Sequence, residues 1–220
     1  MDCKSLIADS LIRKKNQVID LSQSKPLGTG AHRSCYPHPE NGRLCIKVLH
    51  DVTKSELRGI KHEMRYYNHI QSYLKDWSGI PRFHGTVETN MGIGYVFDLI
   101  LDFDGKPSTT LDDAMTSCDS PEQAQKIVDL ILQLKKYIRD NHILTITMNP
   151  HNVLCRRVSE SEMVPVICDN LGRSSVIPWS HWFQSIGDSS QQKRWERFIK
   201  IPLVVEFLTK YDIDGKALIA

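Results

Sequence analysis

Residues 26–49 read Pro26-Leu-Gly-Thr-Gly-Ala-His-Arg-Ser-Cys-Tyr-Pro-His-Pro-Glu-Asn-Gly-Arg-Leu-Cys-Ile-Lys-Val-Leu49, and this stretch decides the fold. Gly28 and Gly30 mark a small-residue turn between two potential strands. Residues 37–42, rich in Pro, Asn and Gly, mark a second turn. The run from Leu44 to Leu49 is apolar but for Lys47, the pattern of a buried strand.

Working outward, residues 53–76 read as a helix. Thr53 and Glu56 have capping-box spacing, and Leu57, Ile60, Met64, Tyr67, Ile70 and Tyr73-Leu74 recur at helical intervals. Trp77-Ser-Gly-Ile-Pro81 stops it. Two further strands are expected at 83–87 and 94–101, separated by a Gly-containing turn at 88–92. The expectation is an antiparallel sheet with one main helix packed on it. Beyond Asp102-Phe-Asp-Gly-Lys-Pro107 the character changes. Helices are expected at 111–115 and 121–139, the latter with a stripe of Ala124, Ile127, Val128, Ile131, Leu134 and Ile138. Short strands follow at 153–156 and 164–168, then an amphipathic segment at 191–211. The organisation is α+β: an extension at 1–16, a β-rich lobe at 17–101 and a reduced, mainly helical lobe at 102–220.

Composition narrows the function. With 40% hydrophobic residues, the 220-residue chain builds a core without disulfides or structural metal. A formal charge of +2 argues against nucleic acid or an anionic membrane as the principal partner. None of the six cysteines forms a CxxC pair, so they read as reduced, buried small hydrophobes. No signal-peptide pattern and no spanning apolar run is present, so the expected location is cytoplasmic. The aromatic residues Trp179, Trp182, Phe183, Trp195 and Phe198 read more simply as core packing than as a partner surface.

Four features carry chemistry. Gly28 and Gly30 would let backbone N–H groups approach a polyphosphate, although GxG is common and Arg33 replaces the usual third glycine. Lys47 needs a partner in an otherwise apolar strand, or is an edge-strand lysine reaching solvent. Glu63, on the following helix, is placed to meet Lys47, or is an ordinary exposed carboxylate. Asn152 in Asn149-Pro-His-Asn-Val-Leu154 and Asp169 in Cys168-Asp-Asn-Leu-Gly172 would converge across a hairpin as hard oxygen donors for magnesium, or are turn residues. In order, these parts match the protein-kinase series of Gly-rich turn, strand lysine, helix glutamate, Pro-x-Asn loop and Asp-x-x-Gly.

The chain also resembles the YrbL family, bacterial proteins named for the PhoP regulatory network. The resemblance is carried by Pro26-Leu-Gly-Thr-Gly30, Leu44-Cys-Ile-Lys47, Asp76-Trp-Ser-Gly-Ile-Pro-Arg82 and His84-Gly-Thr-Val-Glu-Thr89. It continues in Asp102-Phe-Asp-Gly-Lys-Pro-Ser108, Asn152-Val-Leu-Cys155, Ser159-Glu-Ser-Glu162 and Cys168-Asp-Asn170. It implies a protein-kinase-like two-lobe fold and a link to the PhoP-controlled response. By carry-over from the kinase pattern, Gly28, Gly30 and Lys47 would hold the phosphates of ATP, Glu63 would orient Lys47, and Asn152 and Asp169 would hold Mg2+.

The kinase pattern fails at the catalytic loop. Five residues before Asn152, where kinases place the catalytic aspartate, this chain has Thr147. A threonine is not a base near neutral pH, and losing the base costs roughly 10²–10⁴-fold in rate. About fifty residues follow Asp169, with no Ala-Pro-Glu element. Two expectations therefore stand: an atypical phosphotransferase with an unknown acceptor, or a pseudokinase whose nucleotide site regulates a partner protein. A third, a regulatory binding protein without nucleotide, requires Arg33 or another bulky side chain to fill the phosphate space.

Overall fold

The glycine-punctuated N-terminal sequence forms strands as expected. The computed structural model describes residues 18–172 and 184–219, and the chain is α+β with two antiparallel sheets and several helices. The first sheet contains β1 (Gly28–Thr29), β2 (Arg33–Pro37), β3 (Leu44–Leu49), β4 (Phe83–Thr89) and β5 (Gly92–Asp98). Its order is β1-β2-β3-β5-β4, every neighbour antiparallel. On one face Leu21, Leu44, Ile46, Val48 and Val96 form a buried cluster, with Ile19, Tyr36 and Val87 packed around it. Strand alternation puts Cys45 and Lys47 on the other face.

The β4–β5 turn is tighter than the spacing suggested. Gly92 adopts φ +102°, and the Thr89 hydroxyl donates to its carbonyl at 2.7 Å. The chain thus reverses over Asn90-Met91, and both strands extend toward the turn. At the other end β5 stops at Asp98, and Leu101 instead bridges Pro107.

Contacts divide the chain into two units, one running to Val52 plus Phe83–Asp98, the other comprising Thr53–Arg82 and Leu99 onward. Helix α1 (Lys54–Ile70) therefore groups with the second unit rather than with the five-stranded sheet. Its start follows from the capping box: Thr53 Oγ1 accepts the Glu56 N–H at 3.2 Å, and Glu56 Oε2 accepts the Thr53 N–H at 3.2 Å. It ends at Ile70, short of 76, because the chain tightens there. Ser72 N–H bonds to His69 and Tyr73 N–H to Ile70, each three residues back, while the Ser72 hydroxyl also donates to the His69 carbonyl at 2.7 Å.

The second unit holds α2 (Leu111–Thr116), α3 (Pro121–Asp140) and the three-stranded sheet β6 (Thr109–Thr110), β7 (Val153–Arg157) and β8 (Met163–Ile167). The α3 stripe is buried as its period requires, and the helix packs on β8. The 191–211 segment is two helices, α4 (Gln184–Phe198) and α5 (Pro202–Lys210), because Pro202 has no N–H to continue the first. A short α6 (Gly215–Ile219) follows. Trp195 and Phe198 are buried and meet edge to face at 5.5 Å, while Trp179, Trp182 and Phe183 lie outside the described residues, as does the 1–16 extension.

The Asp102 turn is locked internally. Ser108 Oγ donates to Asp102 Oδ1 at 2.6 Å, and Arg157 donates from its backbone N and from Nε to the two carboxylate oxygens. No disulfide joins the five described cysteines, and burial pushes the Cys155 thiol up to about 12. Among the described residues no helix is long and apolar enough to cross a membrane.

Candidate functional site

In the first unit Gly30 closes the β1–β2 turn, its N–H donating to the Arg33 carbonyl at 2.9 Å. Neither Gly28 nor Gly30 has a positive φ, and a Cβ on Gly28 would meet nothing within 4 Å. The chain's own geometry therefore does not demand glycine at Gly28. Thr29 Oγ1, Ser34 Oγ and His50 Nε2 form a hydrogen-bonded row beside this turn, at 3.1 and 2.8 Å.

Lys47 is not an edge-strand lysine. It lies on β3, the middle strand of five, opposite Cys35 on β2 and Tyr95 on β5. Only 7% of it is exposed, and its Nζ stands 4.7 Å from the centre of the Phe97 ring, a cation–π distance. A cation fixed in so little water favours a nearby anion far more than an exposed lysine does.

In the second unit, Glu63 is buried on α1 rather than an exposed helix carboxylate. One turn on, Tyr66 is also buried and reaches the segment around Thr147. Its phenol oxygen accepts the Leu144 N–H at 2.7 Å, and a Cβ on Gly172 would stand 3.4 Å from its own Cβ. Burial raises the Tyr66 phenol well above its usual range, so it stays protonated.

Asn152 and Asp169 leave the same end of the β7–β8 hairpin. Val153 pairs with Ile167, and the next step outward is a hydrogen bond from Cys168 N–H to the Asn152 carbonyl at 2.9 Å. Pro150–Asn152 forms a single 3₁₀ turn, with Asn152 N–H bonded to Asn149. Asn152 is buried and Asp169 half-buried, with Asp169 Oδ1 accepting the Asn170 N–H at 2.6 Å. These two residues are brought together as the hairpin reading expected.

The segment 144–147 runs antiparallel to 170–172. Ile146 N–H bonds to the Asn170 carbonyl, Gly172 N–H to the Leu144 carbonyl, and Thr145 bridges Leu171. Asn170, at φ +62°, turns its side chain so that Nδ2 donates to Thr147 Oγ1 at 3.0 Å. Thr147 is exposed, one antiparallel step from the Asp169 segment. From α4, Gln191 Nε2 donates to the Ile143 carbonyl at 2.6 Å and Arg194 Nε to the Ile146 carbonyl at 3.2 Å.

Tyr66, Asn170, Gln191 and Arg194 are thus positioning residues that the motif pattern does not name. Only Asn170 leaves a trace in the sequence, as an Asn able to adopt a left-handed conformation between Asp169 and Gly172. Gln191 and Arg194 act across more than forty residues and leave no local signature.

A family model described as PhoP regulatory network protein YrbL matches residues 19–202. The chain is 47% identical over 193 residues to the YrbL protein of Escherichia coli, covering 88% of this chain and 92% of that protein. It matches the Shigella flexneri YrbL protein with the same identity and coverage.

Proposed function

The chain belongs to the PhoP regulatory network protein YrbL family, and from that premise we propose that it is an atypical protein-kinase-like protein that binds ATP with magnesium. The observation that carries this reading is the delivery of Asn152 and Asp169 to one end of the β7–β8 hairpin. An amide oxygen and a carboxylate suit magnesium, which prefers oxygen ligands and keeps several waters, so the donor set fits. In such a site the metal neutralises phosphate oxygens.

The remaining parts agree with this reading. Lys47, held in a dry strand centre, supplies fixed positive charge for phosphate. Gly28 exposes backbone with no structural need for the missing Cβ. Glu63, buried on α1, has the role of orienting Lys47 in this proposal, within a kinase-like two-lobe arrangement. The acceptor of any phosphoryl group is open, and a small molecule suits as well as a protein.

One observation favours a second reading, a pseudokinase that binds nucleotide and regulates a partner without transfer. Thr147 stands at the position of the base, and its hydroxyl is already engaged by Asn170. Thermal unfolding with ATP and ADP, with and without magnesium, tests nucleotide binding for both readings. A ligand at 100 times its Kd stabilises the folded state by about 2.7 kcal/mol. The expected result is a magnesium-dependent shift that Lys47→Ala and Asp169→Ala remove. No shift in the folded wild-type protein overturns the proposal.

A further inference from the structure

We propose that the outer face of α1 is a docking surface for an acidic peptide segment of a partner protein, independently of nucleotide binding. Lys54, Arg58, Lys61 and Arg65 follow one another at intervals of four, three and four residues, which aligns them on one face. All four are exposed, and with Leu57 and His62 they line an open groove of about 400 Å³. Among the described residues none of the four forms an ion pair.

An ordinary solvated helix face interleaves both signs, but this one does not. The two carboxylates of α1 are committed elsewhere, Glu56 to the capping box and Glu63 to a buried position. Aligned like charges at these spacings repel and weaken the helix. Lys54 adds a cation at the N-terminal end, where the helix dipole is already positive. An external row of carboxylates relieves both penalties.

The dimensions favour a peptide over nucleic acid. Eleven residues separate Lys54 from Arg65, about 16 Å of helix, or three turns of an opposing helix. Duplex DNA presents about ten charges over that length, against four cations here. The chain's formal charge of +2 also gives no overall attraction for a polyanion. Leu57 gives an amphipathic acidic segment an apolar point of contact. The occupied helix is also the one whose Tyr66 holds the Leu144 backbone.

The test is fluorescence anisotropy of the full chain against a labelled amphipathic peptide bearing a row of glutamates beside a row of leucines. The expected result is saturable binding that weakens with salt and falls by more than about tenfold in R58E/K61E. R58Q/K61Q loses less, and K126E, on the exposed side of α3, binds like the wild type. Thermal midpoints of all variants verify folding. The proposal is overturned by absent binding, by undiminished binding in folded R58E/K61E, or by tighter binding of duplex DNA or inorganic polyphosphate than of the peptide. It is equally overturned by stripe-dependent self-association, which would make a second copy of the chain the occupant.

Discussion

The phenol oxygen of Tyr66 accepts the backbone N–H of Leu144 at 2.7 Å, tying the middle of α1 to the segment that presents Thr147. A helix and a loop 78 residues apart in sequence are thereby held at one distance by a hydrogen bond from a half-buried backbone N–H to a buried phenol. Tyr66→Phe keeps the ring and leaves the N–H without its acceptor. The expected loss is about 1–3 kcal/mol in urea unfolding, the cost of an unsatisfied buried donor. Leu144 should also lose amide-exchange protection before the rest of the unit does.

The centre of the first sheet is packed without slack at Gly94. A Cβ there would stand 2.5 Å from Ile46 Cγ2 and 3.0 Å from Thr89 Cγ2. Gly94→Ala should therefore destabilise by roughly 1–3 kcal/mol through overpacking. Gly28→Ala, where a Cβ meets open space, should leave stability within about 1 kcal/mol of wild type and weaken the proposed nucleotide binding alone. Equilibrium denaturation of the two variants, paired with nucleotide titration, separates a packing glycine from a ligand-facing one.

Asp102 sets an acid sensitivity. Burial pushes its carboxyl up, but hydrogen bonds from Ser108 and Arg157 outweigh burial and hold it below the usual aspartate value. Its folded pKa is thus depressed, so its stabilisation is complete above the unfolded value near about 4. That stabilisation is lost as pH falls through the lower folded value. Asp102→Asn should cost about 2–3 kcal/mol at neutral pH, and the gap from wild type should shrink in strongly acid solution. Urea titrations at neutral and strongly acid pH read the difference directly.

How much of this was legible in the chain varied with the reach of the interaction. The strand around Lys47 was readable because an apolar run between glycine-marked turns has few other solutions. Its central place in the sheet was not, because strand order depends on β5 joining from nearly fifty residues away. The helical period in the sequence runs past the end of α1, because Tyr73 and Leu74 continue it. The competing bonds of Ser72 and Tyr73 to carbonyls three residues back arise only once the turn tightens. The Asn152–Asp169 pairing was readable because one hairpin makes it. The bracing by Gln191 and Arg194 was not, since a polar side chain on a distant helix carries no periodic signal.

Thr147 separates the two functional readings. Thr147→Asp keeps an acceptor for the Asn170 amide and would supply a base to the proposed phosphotransfer. If positioning and metal are already in place, ATP turnover should rise by about 10²-fold or more over wild type. Unchanged turnover with unchanged nucleotide affinity favours the regulatory, non-transferring reading. A coupled phosphate-release assay makes the distinction without knowledge of the acceptor.

The most direct test of the account is a titration with a fluorescent ATP analogue in magnesium and in EDTA, for wild type, Lys47→Ala and Asp169→Ala. The account predicts tighter binding in magnesium for wild type, loss of that magnesium dependence in Asp169→Ala, and weaker binding in both conditions for Lys47→Ala. Binding that is absent, or equal in magnesium and EDTA for every variant, contradicts it.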